Sequence, residues 1–110
     1  MKYQHKNLAA GGWNKLTLME QLANIGSEVE RTISWNKKGN KAYSKRAFER
    51  CLELIDLTLA DRKNRKRLRE LTRVRETLVD YFIGNNLYSS SNKLWQRYFF
   101  SFYYNSRISV

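Results

Sequence analysis

Proline is absent from this chain, cysteine and histidine occur once each, and glycine appears five times in 110 residues. Without proline, no helix interior is forced to kink or lose a backbone donor, so long uninterrupted helices are open to the chain. Cys51 alone cannot close an intramolecular disulfide, and Cys51 with His5 cannot make up a zinc ligand set. Acids are scarce as well: 10 Asp and Glu stand against 21 Lys and Arg, a formal charge of +11 and a pI near 10. That balance is the footprint expected of a protein whose ligand is a polyanion. No apolar stretch approaches the roughly 18 residues of a membrane-spanning helix. Met1-Lys2-Tyr3-Gln4-His5-Lys6 is followed only by Leu8-Ala9-Ala10, too short for the apolar region of a secretory signal. The expectation is a soluble, cytoplasmic protein without membrane contact, a single domain over residues 1–110 with one modest core.

What the chain does have is apolar spacing of helical type. Residues 1–16 read as an irregular, polar N-terminal arm. Thr17 with Glu20 then forms a capping-box pattern ahead of Leu18, Leu22, Ile25, Val29 and Ile33, which share one helical face up to about Trp35. A second helix over residues 41–60 places Ala47, Phe48, Cys51, Leu52, Ile55, Thr58 and Leu59 on one side and the acids Glu49, Glu53 and Asp56 on another. Asp61 or Asn64 is positioned to cap a third, with the seam Leu68, Leu71, Val74, Leu78 and Phe82 and a left-handed stop at Gly84-Asn85. Ser89, Ser90, Ser91 and Asn92 offer caps for a fourth, which carries Leu94, Trp95, Tyr98, Phe99, Phe102 and Tyr103. Short loops favour antiparallel neighbours, so the expected fold class is all-α, an antiparallel up-down-up-down four-helix bundle.

Eight of the fourteen residues from Arg62 to Arg75 are basic. Read as a helix, the run contains the like-charged i,i+4 pairs Arg62/Lys66, Lys63/Arg67, Arg65/Arg69 and Arg69/Arg73, a penalty of about 1–2 kcal/mol in total. A charge run can be no more than a solvated face. In a chain this basic, and so rich in arginine, the run reads instead as a phosphate-binding surface. The candidate contacts are Arg62, Lys63, Arg65, Lys66, Arg67, Arg69 and Arg73, extended by Lys37, Lys38 and Lys41 if the bundle brings the first loop round. Arg75 falls beside the seam and needs a carboxylate such as Asp56, Glu53 or Glu28.

Seven of ten residues from Trp95 to Tyr104 are aromatic, more than one buried stripe needs. Trp95, Tyr98, Phe99, Phe100, Tyr103 and Tyr104 are therefore candidates for a subunit interface, or for base stacking beside Arg97 and Arg107, and the alternative that they only fill the core stays open. The acidic stripe has a spacing that could present carboxylates to a metal, but the Glu-x-x-His pairs of di-iron bundles are missing, and pairing with arginine is the simpler reading. No catalytic residue, metal site or cofactor is predicted. Helical-bundle ribonucleases of the toxin type have a similar size, yet no histidine follows any arginine here as their Arg-x4–6-His motif requires.

Residues 22–31, with Ala47-Phe48-Glu49-Arg50-Cys51-Leu52-Glu53-Leu54, Arg73-Val74-Arg75-Glu76 and Asp80-Tyr81-Phe82, resemble a family of small bacterial and archaeal proteins associated with diversity-generating retroelements. The accessory variability determinant of those elements is a basic four-helix bundle, similar in plan to the proteins encoded in 23S ribosomal RNA intervening sequences. The resemblance rests on size, charge and helix layout over most of the chain, and no functional residue carries over from it. It implies a ring-like, pentameric homo-oligomer that binds template RNA and a reverse transcriptase through its basic surface. From the residues alone, the expectation is a non-enzymatic nucleic-acid-binding accessory subunit, RNA ahead of DNA. The alternatives are a protein-interaction module with an acidic partner and a small helical ribonuclease.

Overall fold

The capping box read from Thr17 and Glu20 opens the first helix of the computed structural model, which describes residues 11–108, with side chains through Asn105. The Thr17 hydroxyl accepts from Glu20 N at 3.1 Å, and the Glu20 carboxylate accepts from Thr17 N at 3.0 Å. That backbone hydrogen bond holds the Glu20 carboxyl below its ordinary value. Four helices follow and pack together: α1 (Leu18–Lys37), α2 (Lys41–Ala60), α3 (Leu68–Phe82) and α4 (Asn92–Ile108). Among the described residues there is no strand, and no helix is long and apolar enough to cross a membrane. His5 lies outside the described residues, as does the Arg107 side chain.

α1 ends in a left-handed turn at Gly39, φ 77°. Asn40 N donates to Trp35 O at 3.0 Å and Gly39 N to Asn36 O at 3.1 Å, the paired bonds that close a helix when its next residue can take positive φ. The Asn40 side chain then accepts from Tyr43 N and starts α2 after a loop of three residues.

The core keeps most of the seams read from the sequence, Leu22, Ile25, Val29 and Ile33 of α1, Phe48, Cys51 and Ile55 of α2, Leu71, Val74 and Leu78 of α3, and Trp95 and Phe99 of α4, and adds Leu54, whereas Leu68, Leu94 and Tyr103 of the expected seams are exposed. Burial raises the Cys51 thiol far above its ordinary value and keeps it a small apolar residue. Side chains tie the helices at successive levels. Buried Glu28 accepts from Arg31 at 2.6 Å and from Arg50 of α2 at 3.3 Å. Arg75 of α3 meets Asp56 of α2 through Nε at 2.8 Å, one of the partners expected for it. Tyr81 donates to Asn92 at 2.7 Å, and Gln96 to Glu30 at 2.8 Å.

α1 and α4 approach closely at Gly26, where a Cβ would lie 2.7 Å from Phe99 Cβ. A clash between two atoms this near their backbones cannot be relieved by a rotamer change. Gly26→Val is expected to lower stability by about 2 kcal/mol, overpacking outweighing the small gain in helix propensity. Chemical denaturation measures this; an unchanged midpoint would show that the two helices slide apart freely.

Three local expectations need correction. The part of the 1–16 arm that is described is ordered: Trp13–Lys15 form a turn of 3-10 helix, and Trp13 is 1% exposed because its indole fills the core. The basic run does not begin as α-helix. Arg62–Arg67 are 3-10, and of the four like-charged i,i+4 pairs expected in the run only Arg69/Arg73 lies wholly inside α3. The left-handed residues between α3 and α4 are Asn86, φ 54°, and Ser89, φ 55°, not Gly84 or Asn85. Asn86 takes that role because its side chain bonds its own loop, donating to Ser90 O at 3.0 Å and accepting from Ser90 N at 2.7 Å. Ser91 is the residue that caps α4, accepting from Leu94 N at 3.2 Å.

Candidate nucleic-acid interface

The turn that carries the basic run is fastened from beneath by buried polar side chains. Asp61 caps it, accepting from Lys63 N at 3.2 Å, and its carboxylate also receives Gln21 Nε2 at 2.8 Å and Lys63 Nζ. Asn64, the one uncharged polar residue in a basic hexapeptide, points inward and donates to Gln21 Oε1 and to Thr58 O, both at 2.9 Å. Gln21 donates in addition to Trp13 O at 3.0 Å, and Trp13 Nε1 to the Thr58 hydroxyl at 2.9 Å. Gln21, Thr58, Asp61 and Asn64 are all at most 6% exposed. Desolvation pushes the Asp61 carboxyl up, but the hydrogen bonds from Lys63 and Gln21 and the Lys63 charge outweigh it and leave the carboxyl below its ordinary value.

Fixing Asn64 inward leaves its neighbours outside. Arg62, Arg65, Lys66, Arg69 and Arg73 are exposed and form no side-chain hydrogen bond or ion pair among the described residues. Two of the seven candidate contacts in the run are engaged elsewhere. Lys63 bridges Asp61 and Asn14 O. Arg67 donates to Glu70 at 2.7 Å, and that bond raises the guanidinium and lowers the carboxyl from their ordinary values. Glu70 also accepts from the Tyr98 hydroxyl at 3.3 Å, so the run's one acid ties its first α-helical turn to α4. Burial and that nearby carboxylate push the Tyr98 phenol up to about 12.

Lys37, Lys38 and Lys41 do not join this surface. They sit at the other end of α2, whose 20 residues span about 30 Å. Lys38 lies over the Trp35 ring at 5.0 Å.

The six aromatic candidates of α4 divide by burial. Trp95 and Phe99 are 7% and 4% exposed and belong to the core, as the core-filling alternative has it, because they face α1 and α3. Tyr98 is half-buried. Phe100, Tyr103 and Tyr104 are 65%, 43% and 56% exposed, and the Phe100 and Tyr104 rings stack at 6.4 Å. These three rings, with exposed Arg97, form an outward face of α4.

The acidic stripe breaks up in the same way. Glu49 is exposed, Glu53 is buried, and Asp56 holds Arg75. No group of three His, Cys, Asp or Glu among the described residues is placed to hold a metal ion. Arg75 and Tyr81 are both in structural bonds, to Asp56 and Asn92.

Reading the sequence missed the buried polar cluster, above all Gln21. Its signal was present: Gln21 lies four residues before Ile25 on the apolar face, where a polar residue requires a partner. Comparison with known protein families, with curated proteins and with solved structures finds no match, so what this surface does follows from its own charge and geometry.

Proposed function

We propose that the protein is a non-enzymatic nucleic-acid-binding accessory subunit whose ligand is RNA. The observation that supports this best is the state of Arg62, Arg65, Lys66, Arg69 and Arg73: exposed, without ion-pair partners among the described residues, and carried on a turn pinned by buried hydrogen bonds and on the start of α3. Crowded like charges oppose each other in the free protein, and phosphates relieve that repulsion when they bind. Pinned backbone leaves less to order on binding than a loose basic tail would.

RNA is favoured over DNA because Phe100, Tyr103 and Tyr104 offer exposed ring faces suited to unpaired bases. The same outward face suits self-association, and an oligomer would multiply the basic patch into an avid surface. Size, charge and the four-helix plan support a place beside a retroelement reverse transcriptase, with five copies in a ring, in a cytoplasmic setting. An up-down-up-down course of the chain belongs to the same proposal. Contacts taken two at a time support it: Thr32–Ser44 with Glu28–Arg50 between α1 and α2, Phe48–Phe82 with Asp56–Arg75 between α2 and α3, and Gly26–Phe99 with Glu30–Gln96 between α1 and α4, each couple running in opposite sequence directions on its two helices.

The test is light scattering on nuclease-treated protein, followed by titration with a short structured RNA across a salt series. A discrete oligomer is expected, with log affinity falling against log salt at a slope of about −4 if five phosphates are neutralised. A monomer indifferent to RNA would overturn the proposal, and cleavage of the RNA would move the protein to the helical ribonucleases.

A further inference from the structure

Beside the free arginines, α3 and α4 leave a groove of about 280 Å³. Val74 and Thr77 line it from α3, Leu94, Trp95 and Tyr98 from α4, and Arg73 is shared between the groove and the basic run. We propose that this groove takes one unpaired base of the bound RNA while the Arg73 guanidinium holds a phosphate next to it. The inference rests on the RNA-binding reading above.

Charge separates this groove from the others. The groove between α1 and α4 is lined by Glu30, the one near the start of α2 by Glu49, and the depression on the exposed flank of α3 by Glu76. The groove at Arg73 has no carboxylate in its lining, and Glu70, which reaches the Tyr98 hydroxyl, is compensated by Arg67. Its volume falls just below the roughly 300–1,000 Å³ of sites that enclose a drug-sized ligand, which leaves room for a single flat ring system.

Its walls are preorganised. The Tyr98 ring is held edge-on by Trp95 at 5.9 Å, Phe99 at 5.0 Å and Phe102 at 5.1 Å, and its hydroxyl by Glu70. Little ordering is left for a ligand to impose on that side. Leu94 is 51% exposed, an apolar side chain that solvent contact does not explain and a base would cover. Arginine suits the proposed arrangement because its planar fork binds phosphate oxygens and also stacks on rings.

The test compares an unstructured single-stranded RNA with a blunt RNA duplex of equal phosphate number, by fluorescence anisotropy, for the wild type and Leu94→Ser. Leu94 is on the surface, so the substitution removes an apolar wall without changing charge. The wild type should prefer the single strand by about 10-fold, the scale of stacking one base. Leu94→Ser should lose most of that preference while its salt slope stays the same. Wild type binding both RNAs equally, or Leu94→Ser keeping the preference, would overturn the base pocket and leave RNA binding standing. Binding of neither RNA would remove the RNA reading itself. A change in molar mass on Leu94→Ser, read by light scattering, would assign the groove to a second copy of the chain and overturn the proposal.

Discussion

Replacing Arg62, Arg65, Lys66, Arg69 and Arg73 together by glutamine is expected to weaken RNA binding by on the order of 10³-fold at about 0.15 M salt, the loss that a counter-ion slope of about −4 implies. The size of the effect follows from the absence of other partners: among the described residues none of the five side chains has an acid to lose, so the substitution removes attraction for phosphate and little else. For the same reason the fold should not suffer. Removing like charges from one short segment should leave the melting temperature unchanged or raise it, which separates lost binding from lost structure. Anisotropy and a thermal melt on the same preparation measure both. Retained affinity would place the phosphate contacts elsewhere, with Lys37, Lys38 and Lys41 at the far end of α2 the first to examine.

Asp61→Ala is expected to cost about 3 kcal/mol, lowering the melting temperature by 10 °C or more in a domain of this size. The loss combines a missing cap, about 1 kcal/mol, with buried donors left unsatisfied, about 1–3 kcal/mol. Gln21 would lose one of its acceptors, and Lys63 its carboxylate. The loss should carry a pH signature. The carboxyl sits below its ordinary value of 3.8, so its ionised form favours the folded state. That contribution is full above the ordinary value and fades as the pH falls through it toward the folded-state value. The wild type should therefore lose stability on acidification in that window, and Asp61→Asn, which removes the titration and keeps the shape, should lose less. Parallel acid melts of wild type and Asp61→Asn would refute this assignment if their slopes coincide. RNA affinity should fall in Asp61→Ala as well, since the turn that aims Arg62, Arg65 and Lys66 loses its anchor.

How much of this was legible in the sequence differs element by element. The bounds of α2 and the capping box of α1 were readable because they depend on local chemistry: a hydroxyl and a carboxylate three residues apart, and helical spacing between breaks. The Arg75–Asp56 pair was readable because a cation beside an apolar seam needs an acid within reach. The 3-10 conformation of Arg62–Arg67 was not. Local propensity there favours α-helix, and the deciding bonds come from Gln21, 40 residues from Asp61 and 43 from Asn64 in the chain. Trp13 was hidden likewise, since its burial depends on Thr58, 45 residues away.

The sequence by itself determined the helical class, the four segments, most of the core seams and the strongly basic charge, because periodicity and composition act over a few residues or over the whole chain. Only the tertiary structure decided which cations are free. Lys63 and Arg67 are engaged by Asp61 and Glu70, five neighbours are left to solvent, and the lysines of the first loop stand at the far end of α2. It also separated the rings of α4 that fill the core from those that face outward. Both outcomes depend on which residues distant in sequence are brought within hydrogen-bonding or packing distance, and helical spacing alone does not encode that.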